Sequence, residues 1–208
     1  MTRTLVIDSA TDACSAALFD GGDCIAGEML LLGRGHAERL VPMIGALPNK
    51  GRADRVVVAL GPGSFTGIRV GLAAAKALAI AWKAELLGYH TPALLAAQAQ
   101  DRFGAAPVAV ANTGGHGEWF VQEFAADGTC VAPVRSLRPD DAAAGIKADI
   151  VVGSQAEALV RLRGSGTAHA MHSDARAFAA LRQDALTRDV RPAYGRAPDA
   201  KLPGGKAP

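Results

Sequence analysis

Gly61-Pro62-Gly63-Ser64-Phe65-Thr66-Gly67-Ile68-Arg69-Val70-Gly71 separates a compact β-branched run, residues 55–60, from an apolar stretch, residues 68–83. A run of that kind reads as a strand buried on both faces of a sheet. The stretch after it, with Gly71, Ala73, Ala74 and Ala75 among larger apolar residues, reads as a helix apolar almost all round, which other elements must cover. Strand, glycine-rich turn and helix in that order place backbone N–H groups and the positive end of a helix dipole where a phosphate is received, with Ser64 and Thr66 as added hydroxyls. The run has neither the Gly-Lys-Ser/Thr ending of a P-loop nor G-x-G-x-x-G. The plainer use of the same residues is that Gly63 and Gly67 give positive φ or close packing, while Ser64 or Thr66 caps the helix. Pattern alone favours packing.

Working outward, residues 4–8, 14–19 and 24–31 are β-rich runs, and Asp20-Gly21-Gly22-Asp23 is a hairpin turn between the last two. Residues 36–47 place Ala37, Leu40, Val41, Ile44 and Leu47 at helical spacing, with Pro42 either near the helix start or at a bend. Residues 86–89 form another strand, and Thr91-Pro92 open a helix as cap and first-turn proline. A composition change at 102–107 marks a boundary. Beyond it, residues 107–111, 119–125 and 130–135 read as a second meander, 150–152 as a strand, and 155–163 and 174–186 as helices, the last with Ala175, Phe178, Leu181 and Ala185 on one face. Meander then helices, twice over, points to an α/β architecture of the actin and sugar-kinase kind: two small subdomains, each a mixed sheet with helices. The division expected is 1–104, 105–187, and a Pro/Gly-rich tail at 188–208.

Half the residues are hydrophobic and a fifth charged, as in folded globular chains. With 22 basic against 20 acidic residues the net charge is +2, too little to hold a polyanion through a broad field. The local surplus is the tail, where Arg188, Arg191, Arg196, Lys201 and Lys206 face only Asp189 and Asp199. Cys14, Cys24 and Cys130 make no C-x-x-C and are odd in number, against a disulfide framework or a zinc ribbon. With no signal-peptide run at the start, and an apolar stretch at 68–82 broken by Arg69, Gly71 and Lys76, a cytoplasmic location with no membrane contact is expected.

Asp8-Ser9-Ala10-Thr11 follows the first strand, where actin-like ATPases hold magnesium and phosphate; one Asp also simply caps a turn. Metal ligation needs convergent ligands. His36 and His90 have leucine, Leu40 and Leu94, four residues on, and only His169 and His172 are close in sequence. No G-x-S-x-G marks a nucleophile. No metal site is expected.

Ile7-Asp8-Ser9-Ala10-Thr11 leading to Cys14-Ser15-Ala16-Ala17-Leu18, then His36-Ala37-Glu38-Arg39-Leu40-Val41-Pro42, then the whole Gly61 to Gly71 run, closely resembles the TsaB (YeaZ) family. Residues 112–120 resemble its D-A-R-x-G-E-V-Y strand and 192–200 its P-x-Y-L-R-x-P-D-A tail. Asn112 stands for the usual Asp, Gly114 for Arg, Trp119 for Val, Phe120 for Tyr and Gly195 for Leu. The resemblance implies an actin-like ATPase superfold and a catalytically silent partner of the paralogous transferase TsaD. The two act with the ATPase TsaE to place threonylcarbamoyl on the adenosine beside the anticodon of tRNA, in tRNAs reading codons that begin with A. In TsaD-like chains two metal-binding histidines one turn apart follow the strand equivalent to 86–89; here Leu94 takes the second place. ATP is then used by the complex, no cofactor is held by this chain alone, and tRNA is met through the complex.

The helices at 36–47 and from 68 are the expected partner surface, with Leu40, Val41, Ile44, Ala73 and Leu78 as candidates, also for a homodimer when TsaD is absent. Asp8, Gly63, Ser64, Thr66 and Gly67 are candidates for phosphate or nucleotide contact. The alternative is an independent enzyme of the TsaD/metallopeptidase-like or ATPase type.

Overall fold

A computed structural model describes residues 2–195. Strands β1 (Arg3–Asp8), β2 (Ala13–Asp20) and β3 (Asp23–Leu31) form the expected meander, closed by the two-residue turn Gly21-Gly22 with Gly21 at φ 62°. Helix α1 (His36–Ala46) follows, then β4 (Arg55–Ala59), α2 (Phe65–Trp82), β5 (Glu85–Tyr89) and α3 (Thr91–Phe103). The strands make one sheet in the order β3-β2-β1-β4-β5, antiparallel within the meander and parallel from β1 through β4 to β5.

The second sheet repeats that plan. Strands β6 (Val108–Gly115), β7 (Glu118–Phe124) and β8 (Arg135–Leu137) are its meander, followed by α4 (Pro139–Gly145), β9 (Ile150–Val152), α5 (Ala156–Arg163) and β10 (Thr167–His169). Its order, β10-β9-β6-β7-β8, is the first sheet's order read from the other edge, with the same parallel and antiparallel pairs. Two copies of one supersecondary plan, with a crossover helix after each meander, are the actin-like fold.

Helix α3 joins the halves. Its Leu94 is buried in the core of the first sheet, while Leu95, Ala96 and Ala99 pack with Val108, Val110 and Phe124 of the second. Helix α1 packs on β2, α2 on β4, and the two helices touch. Helix α2 is long and apolar enough, by length and composition, to cross a bilayer, but Ile68, Leu72, Ala75 and Ala79 are buried in the sheet's core.

Several expectations are corrected. Residues 174–186 are not an α-helix but two 3-10 turns, Ala175–Ala180 and Gln183–Ala185. The first packs on β1, β2 and β3, and Ala185 of the second packs against the same core, so the chain from 173 belongs with the first half and not with a subdomain ending at 187. Phe178 meets Phe19 edge-on at 5.6 Å between ring centroids, and with α1 also packed on β2, the strand is buried along Ala13–Phe19. Within the expected strand 130–135, residues 130–134 make only an isolated bridge, Phe124 to Cys130, and the third strand of the meander starts at Arg135, as β8. Helix α1 begins at His36 and runs through Pro42. The cap of α3 is His90, not Thr91, whose hydroxyl is buried without a partner. Helix α4 and strand β10 had not been expected.

The returning chain then pairs with β5, Thr187 exchanging two backbone bonds with Gly88, and Ala193 N donates to Leu60 O at 2.8 Å. In the basic tail, Arg188 pairs with Glu85 and Arg191 with Asp189, each at 2.6 Å; Arg196, Lys201 and Lys206 lie outside the described residues. Cys14 is buried, and burial first, then Asp8 and Glu28, pushes its thiol up to about 11, so it stays an apolar filler.

Candidate functional site

The glycine run begins where β4 ends and turns into α2. Ser64 is the N-cap, its Oγ accepting from Gly67 N at 3.2 Å. The turn lies directly on the loop after β1. Ser64 N donates to Ala10 O at 2.7 Å, and Ser9 Oγ donates to Gly67 O at 2.9 Å. A Cβ on Gly63 would collide with Ala10 O, one on Gly67 with Ser9 O, and one on Gly71 would come within 2.5 Å of Ser9 Oγ. These glycines let two backbones touch.

Asp8 lies beneath this junction, buried. Its Oδ1 accepts from Ala10 N at 3.0 Å, and its Oδ2 from Tyr89 O–H at 2.9 Å and Ser173 O–H at 2.5 Å. Burial pushes its carboxyl above the usual range; the bonds from Ser173, Ala10 and Tyr89 oppose this, and Asp174 adds to it. Tyr89 is pushed up by burial and by Asp8. Asp8 is thus the knot between β1, β5 and the returning chain.

Between the halves lies a cleft of about 830 Å³. Of the five phosphate candidates, Gly63 and Ser64 line it, and Asp8, Thr66 and Gly67 do not. One wall is the first turn of α2, where Arg69 lies over the Phe65 ring at 4.0 Å, Tyr194 packs on Phe65 at 5.0 Å, and Arg69 Nε donates to Tyr194 Oη at 3.2 Å. The opposite wall is Asn112 to His116 at the end of β6, with Ser154 and Phe120. Asn112 Oδ1 accepts from Ser154 N at 3.0 Å, while Nδ2, on a side chain only 7% exposed, has no partner. The roles of Arg69, Asn112 and Tyr194 went unread. An Asn at the end of the expected strand 107–111, two residues before a glycine pair, is the signal for Asn112 alone.

The histidines are scattered. His36 Nε2 donates to Thr11 O at 2.8 Å, fixing the start of α1 on the loop after β1. His169 stacks on Phe103 at 3.9 Å, His172 lines the cleft, and His90 is exposed at the start of α3 with Leu94 fully buried one turn on. Among the described residues no three ligating side chains converge.

The candidate partner residues divide. Leu40 is wholly buried and Ile44 only 3% exposed, so both are fold core and not surface. Val41 is 64% exposed, Ala73 is exposed and Leu78 half-buried. Ala73, Ala77, Ile80 and Ala81, at helical spacing, form the open stripe of α2, Ile80 being 80% exposed.

Residues 31–187 match the family model described as TsaD: tRNA N6-adenosine threonylcarbamoyltransferase. The chain belongs to this family. Among the relatives it matches are TsaB (YeaZ) proteins. It is 35% identical over 130 residues to the tRNA threonylcarbamoyladenosine biosynthesis protein TsaB of Escherichia coli (strain K12), covering 60% of this chain and 56% of that one. The aligned part thus spans little more than half of that relative. A crystal structure of an uncharacterized protein with similarity to peptidase YEAZ from Pseudomonas aeruginosa superposes with a TM-score of 0.79 at 26% identity, covering 94% of this chain and all of the other. The ethanolamine utilization protein EutJ from Carboxydothermus hydrogenoformans, at 12% identity and TM-score 0.52 over 88% of this chain and 90% of its own, shares the fold alone.

Proposed function

We propose that this TsaB-type chain takes part in forming threonylcarbamoyladenosine in tRNA as a non-catalytic partner of a TsaD-type transferase. The observation that carries the reading is Leu94. Where the resemblance expects a second metal-binding histidine, one turn after His90, a leucine is buried in the core, and one imidazole cannot hold a metal in a closed site. The packed junction of the glycine run supports the further part of the reading, that ATP is used by the complex, with a TsaE-type ATPase, and not bound by this chain alone. The tRNA is met through that complex, in the cytoplasm.

The docking surface in this reading is the open face of α1 and α2, with Val41, Ala73, Ala77, Ile80 and Ala81. Exposed apolar side chains in a contiguous stripe are the usual mark of an interface, and a stable one buries on the order of 1,200–2,000 Å². The same face closes on a second copy when the transferase is absent.

The test is reconstitution of the full chain with a TsaD-type transferase, a TsaE-type ATPase and tRNA. Modification is expected only with the transferase present; modification by this chain alone, lost in His90→Ala, overturns the reading. Val41→Glu and Ile80→Glu are expected to keep the parental circular dichroism and to weaken association by about 2 kcal/mol or more, roughly 30-fold in Kd. Folded variants that sediment with the transferase at parental affinity place the interface elsewhere.

A further inference from the structure

The charge of the chain is unevenly placed. Residues 32–84, from the approach to α1 through the end of α2, hold eight of the 22 basic residues and two of the 20 acidic ones. This segment is strongly cationic and the rest of the chain mildly acidic. Helix α2 carries no Asp or Glu, and Glu38 is the one carboxylate of α1. The cations of α2, Arg69, Lys76 and the C-cap Lys83, recur at seven residues and are all exposed. Seven residues fall only about 20° short of two full turns, so the three make one file, about 21 Å long at the helical rise. The file borders the open stripe, Lys76 lying three residues beyond Ala73 and Lys83 three beyond Ile80, on the same side of it. Among the described residues no carboxylate pairs with any of the three. Where helices pack, an apolar stripe supplies the contact and the charges flanking it choose the partner.

We infer that the α1–α2 face fits an unlike protein whose own helical stripe is bordered by carboxylates, and that the cation file discriminates against a second copy of this chain. A two-fold contact sets the same patch on both sides. Where two α2 helices meet antiparallel across such an axis, each border faces its own copy, so cation meets cation along the whole file. Like charges so placed lower the affinity of the self-pair, and specificity is the difference between the two affinities. A carboxylate border meets the same file with opposite sign. Val41 and Ile80, 64% and 80% exposed, need apolar side chains to cover them, which a phosphate backbone does not supply, so the occupant is a protein and not the tRNA. That this protein is the transferase rests on the proposed function; its acidic border does not.

The experiment is sedimentation of the full chain, alone and with a TsaD-type transferase, at about 50 and about 500 mM salt. The complex is expected to weaken roughly tenfold or more at the higher salt, while self-association holds or tightens. Lys76→Glu combined with Lys83→Glu, both at exposed positions and expected to keep the parental circular dichroism, should weaken the complex roughly tenfold or more, with the corresponding glutamine pair in between. Mixed with the parent, the glutamate variant should form a dimer tighter than the parent's own, because the file then meets its opposite. A complex indifferent to salt and to both variants, or a mixed dimer no tighter than the parental one, overturns the inference. So does tRNA binding by the chain alone that the glutamate variant abolishes, which would place a nucleic acid on the file. A parent that binds no transferase sinks the proposed function alone, and the mixed dimer then decides this inference.

Discussion

Gly67→Ala is expected to lower the unfolding free energy by about 3 kcal/mol, at the upper end of overpacking costs, and Gly63→Ala by as much. The added Cβ in each case meets a backbone carbonyl, Ser9 O or Ala10 O. A backbone carbonyl held in a hydrogen-bonded loop cannot swing aside as the tip of a flexible side chain can. Ser9 Oγ on Gly67 O and Ser64 N on Ala10 O hold the two loops at that separation, so relief means losing buried hydrogen bonds as well. Against a total stability of roughly 5–15 kcal/mol for a domain, either change is large. Gly45, inside α1 with open space where its Cβ would lie, is the control, and its alanine variant should gain about 0.5–1 kcal/mol from helix propensity. Urea unfolding of the three variants checks this. Gly67→Ala and Gly63→Ala that unfold with the parent would mean that the junction is loose and the run free to serve a ligand.

The same residues show what was legible in the sequence. Turn chemistry and apolar, β-branched runs were enough for the first meander, β4, α2 and β5, because the runs are strongly patterned and the turns at Gly21-Gly22 and residues 61–67 and the proline after His90 punctuate them. The second half was read less well, for physical reasons. Ala175, Phe178 and Leu181 recur at exactly three residues, and all are buried; that is the eclipsed repeat of a 3-10 turn, not the 3.6 of an α-helix. Residues 130–135 have apolar content, but Pro133 lacks a ladder donor, and the strand forms beyond it. Helix α4 carried a readable start, Pro139 with Asp140 and Asp141 in its first turn, whereas β10, three residues long, had no pattern to read.

The site was less legible because its parts come from distant places. That Leu40 and Ile44 are core while Val41 is open depends on which way α1 faces the sheet, and periodicity gives a stripe without saying how much of it the sheet covers. Tyr194 reaches Phe65 only because the chain after Thr187 runs back along β5 and past Leu60, a path that no local signal announces. Asp8 shows the converse. Its position at a strand end was read correctly, but its burial depends on Tyr89 and Ser173, 81 and 165 residues away.

That burial gives the second large effect. Asp8→Ala should cost about 3 kcal/mol, because it strips the acceptor from Ala10 N, Tyr89 O–H and Ser173 O–H inside the protein. Asp8→Asn separates the geometry from the charge. The folded-state pKa of Asp8 is raised above the ordinary 3.8, so the folded chain holds this proton more tightly than the unfolded one. Its contribution is therefore fully present below the ordinary value and is lost as pH rises through the raised one. Asparagine keeps an acceptor for Ala10 N and does not titrate. Near pH 3 the two proteins should unfold at similar urea concentrations, and as pH rises past 3.8 the asparagine variant should gain on the parent until Asp8 is fully ionised. Taking the difference at each pH cancels the other carboxylates, which are common to both. An asparagine variant that loses ground as pH rises would show the reverse: an ionised Asp8 that its three donors stabilise more than burial penalises it.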